Sequence, residues 1–88
     1  MEILKVSAKS NVGSVAGALA NTIRSHGEAE LQAVGAGSIN QSVKAIAVAR
    51  GFLASNGQNL VCSPSFMNVV LDGEEKTGMK FYIKVERM

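Results

Sequence analysis

The sequence predicts a two-layer α/β sandwich in the order βαβαββ, a four-stranded mixed sheet with two helices on one face. Three observations lead there. Apolar and polar residues alternate at residues 2–8 and 28–34, the period of a half-buried strand. After each of these strands, apolar residues recur at helical spacing. An Asp72–Gly73 pair then joins two extended segments as a hairpin. Strands one and two are expected to be parallel through a right-handed crossover, and strands three and four antiparallel. The 88 residues make one domain, spanning residues 1–88.

The first strand, Glu2 to Ala8, turns Leu4, Val6 and Ala8 to one side and Ile3, Lys5 and Ser7 to the other. Lys9, Ser10 and Asn11 follow as a polar turn, with Ser10 or Asn11 the residue type that caps a helix start. Val12, Val15, Ala16, Leu19, Ala20 and Ile23 lie on one helical face. Gly27, preceded by Arg24 and His26, marks that helix's end. The second strand sets Ala29, Leu31 and Ala33 against Glu28, Glu30 and Gln32.

A glycine turn, Gly35 to Ser38, opens the second helix, which runs to about Ala54. Ile39, Val43, Ile46 and Leu53 are assigned to one side, Val48 and Phe52 elsewhere, and Ala45, Ala47 and Ala49 between them. That surface is wider than one sheet contact needs. Its small residues admit close approach by another helix, from this chain or from a second subunit, and a twofold homodimer is the expected assembly. Leu60 to Cys62 and Phe66 to Leu71 read as extended segments interrupted by Pro64, which suggests a bulge or an edge. In the last strand Met79, Phe81, Ile83 and Val85 alternate with Lys80, Tyr82, Lys84 and Glu86.

Composition narrows the function classes. A hydrophobic content of 47% argues against disorder, and 18% charged residues is low for a domain whose whole surface meets water, so a partner is expected over some apolar surface. The net charge of +2 permits nucleic-acid binding without demanding it. One His, one Cys and one Asp are too few to converge on acid/base or metal chemistry, so neither an enzyme nor a metal or cofactor is expected. The lone Cys62, flanked by apolar residues, reads as a buried reduced thiol. No basic, apolar and cleavable leader opens the sequence, and no apolar run approaches the ~20 residues that cross a bilayer; a cytoplasmic, membrane-free protein is expected.

Two sets of residues are candidates for binding. In the first, Gly35 and Gly37 allow a sharp turn, Ser38 is suited to cap the second helix, and the helix amides then face an anion. The turn lacks the third glycine of a dinucleotide fingerprint and the GK[ST] of a P-loop, so a tight strand-to-helix connection is the simpler account than a nucleotide pocket. Lys9 and Lys44 lie near the two helix starts, at the carboxyl ends of the parallel strands. Together with Asn11, Gly37, Ser38 and Asn40 they form a candidate surface for a phosphate backbone. The second set is Lys5, Lys80, Tyr82 and Lys84, which alternation puts on the sheet face away from the core. Basic residues around an aromatic suit phosphate contact and base stacking, although a solvated strand face explains the same pattern.

The segments MEILKVSAKS, SVAGALA, VGAGSINQSVKAIAVARGF and DGEE together resemble the stage V sporulation protein S family across nearly the whole chain. The resemblance implies a small cytosolic bacterial protein linked to sporulation, with a wider regulatory role in bacteria that form no spores. The βαβαββ order is also similar to the Alba chromatin-protein fold and to the C-terminal domain of a bacterial translation initiation factor. That likeness implies a dimer that binds DNA or RNA through a basic first turn, where Lys9 falls, the start of the second helix and a hairpin arm. The chain departs from the Alba pattern at Ala36 and Ser38, where an arginine stands beside the turn glycine, and its hairpin reads as short and acidic, with Asp72, Glu74 and Glu75 around Lys76. The leading reading is a dimeric DNA- or RNA-binding regulator. The alternative is a protein-interaction scaffold in spore development, and a nucleotide-binding enzyme ranks third.

Overall fold

A computed structural model describes residues 1–87, in the expected order: β1 (Ile3–Val6), α1 (Val12–His26), β2 (Glu28–Val34), α2 (Ala36–Ala54), β3 (Gln58–Leu71) and β4 (Glu74–Arg87). The sheet order is β1-β2-β4-β3. β1 and β2 are parallel, with Lys5 opposite Gln32, and the β2–β4 and β3–β4 pairs are antiparallel.

One sheet face carries the core. Ala29, Leu31 and Ala33 of β2 and Phe81 and Ile83 of β4 are buried there with Leu60 of β3. Ala16, Leu19 and Ile23 of α1 and Ala45, Ala49 and Leu53 of α2 pack onto them, so both helices cover the same face. Buried hydroxyls bond within their own helices: Thr22 Oγ1 donates to the Ala18 carbonyl at 2.9 Å, and Ser42 Oγ to that of Ser38 at 2.9 Å. Among the described residues no buried side-chain polar atom lacks a partner.

The helix ends differ. Asn11 caps α1, its Oδ1 accepting from Ser14 N at 2.9 Å, and the Gly27 amide closes the other end on the Ile23 carbonyl. α2 begins two residues before the expected start, so Ser38 is not its cap. Gly35 holds that position at φ 93° and ψ 154°, and no side chain caps the helix. Ser38 falls instead in the first turn, where helical periodicity carries it onto the buried stripe Ser38, Ser42, Ala45, Ala49, Leu53. This stripe also corrects the expected faces of α2. Val43 is exposed, whereas Ala45 and Ala49 are consumed inside the chain, because α1 settles against the small residues of α2.

β1 is shorter than the alternation suggested; Ser7 and Ala8 already belong to the turn and Ala8 is exposed. β3 is one continuous 14-residue strand at the sheet edge, and its register with β4 passes through Pro64 opposite Phe81 without a bulge. An edge strand tolerates the missing amide. Cys62 is exposed rather than buried: opposite Ile83 it points to the helix side of the sheet, but on the edge strand it lies outside the core that the helices cover. What burial it has pushes the thiol up from its ordinary range.

The hairpin is acidic but not short. Asp72 and Gly73 both have positive φ, as a two-residue type I′ turn requires, and Leu71 pairs with Glu74 across it. β2 pairs with β4 only as far as Val34 opposite Gly78, so residues 68–77 continue as a two-stranded arm. The molecule is 44 Å in its longest dimension against 21 and 17 Å in the others.

Candidate functional site

The carboxyl ends of β1 and β2, the start of α2 and the root of the arm all meet at one end of the sheet. There the β1–α1 turn is a closed hydrogen-bonded loop. Ser10 N donates to the Ser7 carbonyl at 3.1 Å, Ser7 N to Ser10 Oγ at 2.9 Å and Lys9 N to Ser7 Oγ at 3.2 Å. Its serines are spent on each other, and Lys9 is left exposed at the tip.

This turn is tied to α2. A Cβ built on Gly37 would stand 2.9 Å from the Ala8 Cβ, so the absence of a side chain lets the two segments touch. Gln41 Nε2 also donates to the Ser10 carbonyl at 2.8 Å. Little in the sequence marks Gln41: its only signal there is a long amide one turn into a helix of small residues. Gly37, Asn40 and Lys44 follow at spacings of three and four, so they share the helix face that begins at this contact.

The first candidate set therefore divides. Lys9, Gly37, Asn40 and Lys44 are all exposed, Lys9 in the turn that Gly37 touches, Asn40 in the second turn of the uncapped α2 and Lys44 one turn further along it. Among the described residues, neither Lys9 nor Lys44 is paired with a carboxylate. Asn11 is close by, but its carbonyl oxygen is engaged in the α1 cap. Ser38 is 6% exposed and turned to the interior, so its side chain is not part of this surface.

The two glycines of the turn act differently, and a paired substitution separates them. Gly35 has the only-glycine backbone, with open space where a Cβ would go, whereas Gly37 has ordinary helical φ and lacks space. Gly35→Val is expected to lower stability by about 1–3 kcal/mol through strain. Gly37→Ala is expected to displace the Lys9 turn with a smaller stability loss. Melting temperatures of the two variants, with amide chemical shifts of Lys9 and Ser10, check the distinction.

On the opposite sheet face, Lys5, Lys80, Tyr82 and Lys84 do share one side, as alternation implied. Glu28 and Glu30 interleave with them: Lys84 lies opposite Glu28 and Tyr82 opposite Glu30. Tyr82 Oη donates to Glu28 Oε1 at 2.8 Å, and Gln32 Nε2 to Glu30 Oε2 at 2.7 Å. The bond to Glu28, with some desolvation and the carboxylate charge, pushes the Tyr82 hydroxyl above its ordinary range and keeps it a donor. This face is a mixed-charge lattice.

Elsewhere, His26 ends α1 beside Arg24, where both complement the helix carbonyls. No group of three or more His, Cys, Asp or Glu able to hold a metal ion occurs among the described residues. Among the described residues no helix is long and apolar enough to cross a membrane.

Comparison with known proteins agrees with this architecture. Alba from Thermoplasma volcanium superposes with a TM-score of 0.66 at 13% sequence identity, over 97% of this chain and 99% of that one. At that identity the likeness establishes the fold, which is Alba-like. The family model of stage V sporulation protein S matches residues 2–86. With nearly every residue from β1 to β4 inside that match, the chain belongs to the stage V sporulation protein S family.

Proposed function

We propose that this protein is a dimeric, non-catalytic nucleic-acid-binding module acting in the regulation of sporulation in the bacterial cytoplasm. The observation that carries the reading is the contact of Gly37 with Ala8, which joins the turn bearing Lys9 to the uncapped start of α2 and its Asn40 and Lys44. Two ammonium groups and a helix N-terminus make a surface complementary to phosphate. The acidic tip of the arm, Asp72, Glu74 and Glu75, is repelled by the same ligand, so the arm's apolar flank rather than its tip serves the complex.

Titration with DNA and RNA over a series of salt concentrations tests it, and no salt-dependent binding even at low salt would overturn it. The Lys9→Gln/Lys44→Gln double variant is expected to weaken binding evenly across sequences and to reduce the salt slope by roughly one per lost contact. Unchanged affinity in that variant would move the site to Lys5, Lys80 and Lys84.

Dimerisation draws on apolar residues left uncovered by the chain itself: Val43 on α2 and Phe66 and Val70 on β3, the last two 76% and 71% exposed. Sedimentation at micromolar concentration is expected to give at least a dimer, and Phe66→Ser to shift it toward monomer. The same exposed residues favour the second reading, a scaffold that binds other proteins. Partners that survive nuclease treatment in a pull-down from cells would support it over the first.

A further inference from the structure

A groove of about 290 Å³ lies where the arm bends over the outer face of the sheet. One wall is Met67, Val69 and Leu71, successive residues on one side of β3; the other includes Val34 at the end of β2. Lys5 and Gln32 line it too, and they are partners in the β1–β2 register, so an ammonium and a side-chain amide stand side by side. Gln32 Nε2 is held by Glu30, which leaves the amide oxygen as the acceptor. The groove also reaches Ser7, in the turn that carries Lys9, so it adjoins the candidate phosphate surface.

We propose that this groove receives one unstacked nucleobase, and hence that the nucleic acid held on the Lys9–Lys44 surface is single-stranded. The inference rests on the nucleic-acid reading above. Its volume is at the lower limit of small-molecule pockets, which run from ~300 Å³ upward, and suits one flat heterocycle rather than a whole nucleotide. Aliphatic walls cover the faces of such a ring, while adjacent donor and acceptor groups match the amide-like edge of a base. A hydrocarbon chain would cover the Lys5 ammonium and the Gln32 amide oxygen without bonding to either. In a duplex the bases are stacked and paired and offer only their edges in its grooves, so a whole base can enter the protein groove only from an unpaired strand.

The test compares three probes by titration: a short single-stranded RNA, its duplex, and an abasic strand of equal length. Two variants accompany the wild type. Val69→Phe fills the groove, and Asn68→Phe, the preceding residue, is exposed on the other side of the strand, outside the groove lining, and serves as the folding control. The single strand is expected to bind roughly tenfold more tightly than the abasic strand, the scale of burying the faces of one base against aliphatic side chains. Val69→Phe should erase that difference without changing the salt slope, and Asn68→Phe should retain it. Equal, salt-dependent binding of base-bearing and abasic strands would remove the base from the groove and leave the phosphate surface standing. Equal loss of both strands in Val69→Phe would also overturn the proposal. If no strand binds at low salt, both readings fall. Methyl signals of Met67 and Val69 give an independent measure: they are expected to shift on addition of free adenosine, and a shift with protein concentration alone would assign the groove to a second copy.

Discussion

Replacing Leu31 by alanine is expected to destabilise the fold by about 2–5 kcal/mol, a large part of the 5–15 kcal/mol typical of a domain. Leu31 has no exposed surface; it lies on β2 between Leu4 of β1 and Phe81 of β4, under the two helices. Truncation removes its burial and leaves a cavity that close-packed neighbours fill only in part. Denaturant unfolding measures the loss. A change below about 1 kcal/mol would mean that the helices close over this position when the side chain is shortened.

The second large effect is expected at Gly78, where the arm leaves the sheet. A Cβ there would stand 2.7 Å from the Ala33 carbonyl oxygen and 3.0 Å from Val34 Cγ2, and the first of these is backbone that cannot swing aside. Gly78→Val is therefore expected to cost about 1–3 kcal/mol and to pull β4 away from β2 at the Val34–Gly78 pair. Since Met67 and Val34 flank the same spot, the groove between arm and sheet should be distorted along with it. The control is Gly51→Ala on α2. Nothing lies within 4 Å of a Cβ at that position, so the substitution should stabilise by about 0.5–1 kcal/mol through helix propensity. Paired melting curves would show opposite signs. A neutral Gly78→Val would mean that the hairpin root is loose enough to accept a β-branched side chain.

Much of the candidate site was readable before any coordinates. Lys9 in a polar turn and Lys44 on the second helix both follow from local pattern, although the earlier start of α2 leaves Lys44 near the middle of the helix rather than at its start. The misplaced member, Ser38, goes with the two-residue error in the start of α2, whereas Asn11 is taken up by the α1 cap. A serine after glycines is a good cap, but here the chain enters the helix from Gly35 in a backbone conformation open only to glycine, and that choice is visible only once β2 and α2 are packed. The burial of Ser38 follows directly from it. Likewise, alternation correctly put Lys80, Tyr82 and Lys84 on one face, while the register that brings Glu28 opposite Lys84 and Glu30 opposite Tyr82 is a property of β2 pairing with β4. Residues more than fifty positions apart are not related by any local period.

What the sequence by itself determined is therefore whatever short-range stereochemistry controls: the six elements and their order, the buried sides of β2 and β4, the Asn11 and Gly27 helix ends, and the two-residue hairpin turn. Side-chain period and turn chemistry act over a few residues, so they leave a readable pattern. Only the tertiary structure decided that α1 takes up the small residues of α2, that β3 passes Pro64 unbroken to form a long arm, that Cys62 stays uncovered, and that Gly37 presses on Ala8 to join the Lys9 turn to α2. Each of these depends on which surface arrives from a distant part of the chain. Burial of apolar area is indifferent to sequence separation, and the choice between competing partners is made by packing.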